Sequence, residues 1–223
     1  MTQEEKAEAF RALHEGEPFF IPNPWDSGSA RVLAALGFEA LATTSSGFAF
    51  TLGRRDGSAT LDDVAKHVES LSQATDLPLS IDLENGYGAD PDSCAEAVAR
   101  VAEAGAVGGS IEDYDPERRI YDFDHAVERV TAAVEAAGAD VLYAPGLRTV
   151  DEVRTVCSAV SKPVNVLARA DLSAAEIFEA GAQRISVGGR LTWVGANAMV
   201  SSARAMLERG DLSGLDAGLP PGF

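Results

Sequence analysis

Asp82 and Glu84 stand two residues apart in the run Ile81-Asp82-Leu83-Glu84-Asn85-Gly86-Tyr87-Gly88, and Glu112 follows in Ser110-Ile111-Glu112-Asp113-Tyr114. On an extended strand, side chains two residues apart share a face, so Asp82 and Glu84 are expected to point to one side. The glycines after them allow a tight turn. Carboxylate oxygens gathered at adjacent strand ends are hard donors that suit Mg2+ or Mn2+, with water and a substrate carboxylate or oxyanion completing the shell. A lone D-x-E pair has plainer uses, capping the helix that starts near Pro91 or pairing with arginines. A third acid at the next strand end favours the metal reading.

A second constellation is Thr43-Thr44-Ser45-Ser46-Gly47-Phe48, followed by Leu52-Gly53-Arg54-Arg55-Asp56-Gly57. Small residues expose backbone N–H groups that can hold a carboxylate or phosphonate without a long cation. A Ser-Gly segment can equally be an ordinary turn. Asp56 either reaches a substrate through metal-bound water or simply forms the turn before Gly57.

Thirty-five acidic side chains against 18 basic ones give a formal charge of −17. That field repels nucleic acid and anionic membrane surfaces, so neither is an expected partner. An anionic substrate then needs local cations, supplied by a bound metal or by particular arginines. Cys94 and Cys157 lie in helical patterns without a neighbouring histidine, which reads as two core thiols rather than a zinc site or disulfide. His14, His67 and His125 lie in or beside polar helical patterns, which reads as solvated surface. The first residues, MTQEEKAEAFRALHEG, are charged and amphipathic, and no run approaches the roughly 20 apolar residues that span a bilayer. A cytoplasmic protein is the expectation.

The elements that must position these groups are legible as strand and helix alternation. Short apolar runs at Pro18–Pro24, Ala40–Ser45, Pro78–Leu83, Gly109–Glu112, Asp140–Ala144, Pro163–Leu167 and Arg184–Val187 read as parallel strands covered on both faces. Helical patterns lie between them, at Ser27–Leu36, Leu61–Ala74, Pro91–Ala104, Ala126–Ala137, Val150–Val160 and Ala174–Ala180. Gly37, Gly105, Gly138 and Gly181 provide stops, because glycine accepts the left-handed conformation that closes a helix. The alternation, with no G-x-G-x-x-G after the first strand, points to a single α/β domain over residues 1–223, a (β/α)8 TIM-type barrel with reacting groups at the C-terminal strand ends.

The count falls one short. Seven strands are visible, and only one helix separates the strand ending at Glu112 from the strand starting at Asp140, where a strand-helix repeat needs about thirty residues. One βα unit is absent near residues 137–138. Either the fold has lost a strand, leaving two edges to cover, or a segment is missing from the sequence; the need for closure favours the second.

Taken in order, these motifs resemble the isocitrate lyase and phosphoenolpyruvate mutase superfamily, in its phosphoenolpyruvate phosphomutase-like branch, from about Pro18 to the helix after Trp193. The carrying segments are Asn23-Pro24-Trp25-Asp26, Thr44-Ser45-Ser46-Gly47, Leu52-Gly53 with Asp56-Gly57, Asp82 to Gly88, Ile111-Glu112-Asp113, Gly138-Ala139-Asp140 to Leu147, Lys162 to Asn165 and Arg184 to Gly189. The resemblance implies a Mg2+-dependent (or Mn2+-dependent) lyase, hydrolase or mutase. Its substrate would be a small 2-oxo acid, a related carboxylate or a phosphonate, cleaved or formed at a C–C or P–C bond through an enolate-like intermediate. It implies Asp82, Glu84 and Glu112 as metal-holding residues, Ser46, Gly47 and Phe48 as the substrate carboxylate site, and Asp56 close to the metal. It also implies a homo-oligomer, a dimer or tetramer, packed through the C-terminal helix and tail from about residue 191.

Two departures stand out. The lyases carry a cysteine in a mobile loop after the Glu112 strand, whereas this chain has Tyr114-Asp115-Pro116-Glu117-Arg118-Arg119-Ile120-Tyr121. Arg118, Arg119 and Tyr121 are then the candidates for closing over a substrate, Arg119 with a catalytic role. An alanine-arginine strand end that the family places between the Glu112 strand and Gly138 is also absent, which leaves a noncatalytic metal-binding or scaffold barrel as the alternative.

Overall fold

The computed structural model describes residues 1–115, 119–138, 140–216 and 218–219. Pro116, Glu117, Arg118 and Ala139 lie outside that range. Strands and helices alternate as the sequence spacing predicts. The described strands are β1 (Phe19–Ile21), β2 (Leu41–Ala42), β3 (Leu79–Asp82), β4 (Gly108–Ser110), β5 (Tyr114–Asp115), β6 (Arg119–Ile120), β7 (Leu142–Ala144), β8 (Val164–Leu167) and β9 (Arg184–Ser186). The helices are α1 (Gln3–Glu15), α2 (Ser27–Ala35), α3 (Ser45–Thr51), α4 (Leu61–Ala74), α5 (Pro91–Glu103), α6 (Phe123–Ala137), α7 (Val150–Ala159), α8 (Ala174–Glu179) and α9 (Arg190–Arg209).

Helix starts follow from local chemistry. Thr2, Asp26, Thr60, Thr149 and Ser173 each close a capping box, in which the cap side chain accepts the N–H of the third helical residue and that residue's side chain accepts the cap's N–H. Such a cap contributes about 1 kcal/mol.

Parallel ladders run β2-β3-β4 and β1-β9-β8-β7, and the Ala42 N–H donating to the Pro22 carbonyl at 3.0 Å joins β2 to the chain just after β1. The spatial order is therefore β7-β8-β9-β1-β2-β3-β4, an arc of parallel strands with helices outside. Among the described residues no ladder joins β4 to β7. That is where the sequence spacing places the absent unit.

Helix α6 lies between β4 and β7 in the chain. Its large apolar residues Phe123, Val127, Val130 and Val134 are exposed, as is Leu142 on β7, while Arg129 and Ala133 are buried. The stripe that a further βα unit would cover therefore faces solvent.

Elsewhere the core is conventional. One apolar cluster joins β2 and β3 to α2, α4 and α5 through Leu41, Ile81, Leu83, Val68, Leu71 and Val101. A second joins β8 and β9 to α7 and α8 through Val153, Val164, Val166, Ile177 and Ile185. Each fully buried aliphatic side chain contributes about 1.5–3 kcal/mol. Under the barrel, α1 inserts Phe10, and Gln3 Nε2 donates to the Ala102 and Ala106 carbonyls at 2.7 and 2.8 Å. Among the described residues, no helix is long and apolar enough to cross a membrane.

Candidate functional site

The C-terminal strand ends form the site, and its geometry starts at Asp82, the last residue of β3. Asp82 Oδ2 accepts the Ser45 N–H at 3.0 Å, Oδ1 accepts the Glu84 N–H at 3.1 Å, and the Asp82 N–H donates to Thr43 Oγ1 at 2.9 Å. The β3 carboxylate thus caps the first turn of α3 at the end of β2, rather than the helix that starts at Pro91. The segment read as a Ser-Gly turn is this short helix. Burial raises the Asp82 pKa, opposed by the hydrogen bonds from Ser45 and Glu84.

Glu84 reaches the site differently from the strand alternation expected of it. The strand ends at Asp82, and Glu84 and Tyr87 take left-handed backbone conformations with φ 47° and 60°. For residues with a Cβ this is uncommon and costs on the order of 1 kcal/mol or more, so the surrounding structure must hold it. Tyr87 Oη donates to Glu84 Oε1 at 3.4 Å. At Gly86, φ is 75° and an added Cβ would lie 2.8 Å from Cys94 Sγ, which excludes any side chain there.

Glu112 lies two residues past β4 and keeps one side open to solvent. Its N–H donates to the Glu84 carbonyl at 2.7 Å. The acids are close enough to repel. Burial, then the charges of Asp82, Asp56 and Glu112, raise Glu84 to about 7; burial, then Asp82, Asp56 and Asp113, raise Glu112 to about 7. Asp56, exposed on the segment after α3, is thereby placed beside the same cluster. None of these four carboxylates joins an ion pair among the described residues.

Ser46, Gly47 and Phe48 sit in α3 with different fates. Ser46 Oγ lies 3.2 Å from Thr44 Oγ1. Gly47 is buried where a Cβ would meet Thr192 Oγ1 at 2.6 Å, Thr44 Cγ2 at 2.7 Å and Trp25 Cβ at 3.0 Å, so only glycine fits between α3 and α9. The Phe48 ring is in the core and its N–H is bonded to the Thr44 carbonyl at 3.0 Å.

Two residues depart from their sequence-based reading. His67 is 8% exposed, not a solvated surface residue, because position 67 falls on the inner stripe of α4 with Val64, Val68 and Leu71. Its ring stacks on Phe48 at 4.1 Å, it lines a small cavity with Asp82, Glu84 and Tyr87, and burial lowers its pKa to about 4. Tyr121, read as a closing residue, is 8% exposed and accepts a hydrogen bond from Asn85 Nδ2 at 3.2 Å. Arg119 is exposed on the β5-β6 hairpin just beyond Glu112, with φ 71°.

Sequence reasoning gave no separate role to Asn23, which is 4% exposed. Its Nδ2 donates to the Thr43 carbonyl at 2.8 Å, and its Oδ1 accepts the N–H groups of Val187 and Gly188 at 2.8 and 2.9 Å. One side chain thus ties together the ends of β1, β2 and β9, and a polar residue inside the apolar run Pro18–Pro24 was the available signal.

The donor set fits a hard divalent cation: oxygen-only, uncompensated, and mutually repelling until a cation arrives. Among the described residues no three His, Cys, Asp or Glu side chains converge as a ready metal cage. The protein would therefore supply part of a shell and water the rest, the usual mode for Mg2+.

Comparison with known proteins places the chain in a family. The model of the family described as phosphoenolpyruvate phosphomutase matches residues 10–137 and 135–207, and the chain belongs to that family. The two stretches meet at the end of α6, where the strand count falls short. A solved Burkholderia cenocepacia J2315 protein, described only provisionally as a lyase/mutase, is 41% identical, with TM-score 0.93 and coverage of 98% of this chain and 94% of that one. A solved 2,3-dimethylmalate lyase is 25% identical, with TM-score 0.84 and coverage of 97% and 89%. The 2-methylisocitrate lyase of Salmonella typhimurium (strain LT2) is 31% identical over 147 residues, covering 61% of this chain and 50% of that enzyme. The matched proteins with assigned activities include lyases, a mutase and an oxaloacetate acetylhydrolase, and the superfamily's solved members, 2,3-dimethylmalate lyase among them, share the α/β fold with parallel strands.

Proposed function

We propose that this protein is a Mg2+-dependent (or Mn2+-dependent) lyase, hydrolase or mutase. It acts on a C–C or P–C bond of a small 2-oxo acid, related carboxylate or phosphonate through an enolate-like intermediate. The observation that carries the reading is the cluster of Asp82, Glu84 and Glu112 at and just past the ends of β3 and β4, raised in pKa by burial and by neighbouring negative charge that includes Asp56. Asp82, Glu84 and Glu112 hold the cation and its waters. When bound, the cation neutralises this cluster and stabilises negative charge developing on the substrate oxygen.

The chain's own groups do the rest. Ser46 and Gly47, at the start of α3, orient the substrate carboxylate; Phe48 contributes through its packing. Asp56 holds or moves a proton at the open side of the cluster. Arg119, carried by the hairpin after Glu112, closes on the anionic substrate and excludes water. The exposed apolar residues of α9, among them Trp193, Val194, Met199 and Leu207, support assembly into a homo-oligomer.

One observation favours the noncatalytic barrel instead: among the described residues no ladder joins β4 to β7, where the family places a substrate-contacting arginine. A panel of oxaloacetate, phosphonopyruvate and 2-alkylmalates separates the two readings. Turnover that EDTA abolishes and Mg2+ restores supports the enzyme. Mg2+ binding by calorimetry with no turnover supports the binding protein, and the absence of both removes the site.

A further inference from the structure

Arg129, in the middle of α6, is 1% exposed and among the largest fully buried side chains. A guanidinium out of water must have its N–H groups satisfied, or its burial costs several kcal/mol. All its described hydrogen bonds run to backbone carbonyls of the loop after β3. Its NH1 donates to Gly88 O at 2.6 Å and to Asp90 O at 3.5 Å, and its NH2 donates to Asn85 O. Its Cζ also lies 4.4 Å from the centroid of the Tyr121 ring. No carboxylate pairs with it among the described residues.

That loop is the one that needs holding. Glu84, Gly86 and Tyr87 all have positive φ within five residues of the end of β3. The carbonyls gathered by the guanidinium begin at Asn85, the residue directly after Glu84. The same post reaches the Glu112 strand end: Tyr121 N–H donates to the Asp113 carbonyl at 2.9 Å, and Tyr121 Oη accepts from Asn85 Nδ2. His125, one turn before Arg129, places Nε2 2.7 Å from the Ala89 carbonyl. Only a planar fork of fixed donors can span carbonyls this way; a lysine ammonium is a point charge on a flexible stem.

We propose that Arg129 is a positioning residue of the carboxylate cluster, fixing the loop that presents Glu84 and, through Tyr121, the segment that presents Glu112. The proposal rests on the metal reading above and acts on cation affinity rather than on any chemical step.

Mn2+ titration followed by electron paramagnetic resonance tests it without turnover, on the parent chain, Arg129→Met, Arg129→Lys, Tyr121→Phe and Val153→Ala. Val153 is buried in the far apolar cluster, so its truncation controls for lost stability alone. Both Arg129 variants are expected to weaken Mn2+ binding by about tenfold or more, the usual effect of removing a group that orients metal ligands. Tyr121→Phe weakens it less, and Val153→Ala leaves it unchanged. Arg129→Lys keeps a buried cation and guards against a failure of Arg129→Met to fold. Parent-like Mn2+ affinity in a folded Arg129 variant, or equal weakening in Val153→Ala, overturns the positioning role while the metal site stands. No Mn2+ binding by the parent overturns the metal reading and the proposal with it.

Discussion

The N–H of Glu112 donates to the carbonyl oxygen of Glu84 at 2.7 Å, so the two strand ends that carry the acids are joined through their backbones. The spacing of the carboxylates is therefore fixed by main chain, and the Glu84 side chain is held further by Tyr87 Oη. Electrostatic cost accumulates at a rigid point, and a cation relieves it.

Glu84→Gln separates these roles. The folded pKa of Glu84 is about 7 against an ordinary 4.5, so its relative stabilisation is present below 4.5 and lost as pH rises through about 7. At pH 8 in EDTA, the glutamine variant is expected to melt above the parent. With Mg2+ added, the parent gains melting temperature and the variant gains little. A variant that melts lower in EDTA and keeps the full Mg2+ increment contradicts the assignment.

His67 sets an opposite dependence on acid. Its folded pKa of about 4 lies below the ordinary 6.5, so the neutral ring's stability is intact above 6.5 and lost as pH falls towards 4. The loss reaches on the order of 3 kcal/mol below pH 4. Urea denaturation of the parent and His67→Phe at pH 7.5 and pH 4.5 measures it; an unchanged difference between the two proteins would count against it.

Gly47→Ala tests the contact between α3 and α9. The added methyl has no room against Thr192, Thr44 and Trp25, and overpacking of this kind costs about 1–3 kcal/mol. Denaturant midpoints give the cost directly. An alanine variant as stable as the parent would mean that the two helices separate easily.

Asp56→Asn and Arg119→Ala probe the open side of the site once a substrate is found. Loss of a positioned proton-transfer group costs about 10²–10⁴-fold in rate, so Asp56→Asn is expected to lower kcat in that range. Arg119→Ala is expected to raise KM as well. Steady-state kinetics with parent-like values for both variants would remove them from the machinery.

Much of this was legible in the sequence, for local reasons. Stops such as Gly37 and Gly181 are short-range chemistry, so the helices before them end within a residue of their expected places, whereas α6 begins at Phe123, three residues before the Ala126 expected of it. The acids were visible as types at strand ends. Glu84's left-handed turn was not, because strand alternation predicts a direction that holds only while the strand lasts. His67 and Arg129 were missed for a shared reason: each is a polar residue on the buried side of its helix, and periodicity follows apolar residues. In α6 that rule inverts, since Phe123, Val127, Val130 and Val134 face solvent and Arg129 faces inward.

The four uncompensated acids also dictate an order of arrival. A chain of formal charge −17 presents a carboxylate quartet at the mouth of its barrel, so an anionic substrate reaching the free protein is turned away by both near and far charge. Once a divalent cation has settled there, the same mouth becomes attractive. On the proposed reading the cation must come first and the acid substrate second, which is a compulsory sequence written in electrostatics rather than in any moving part.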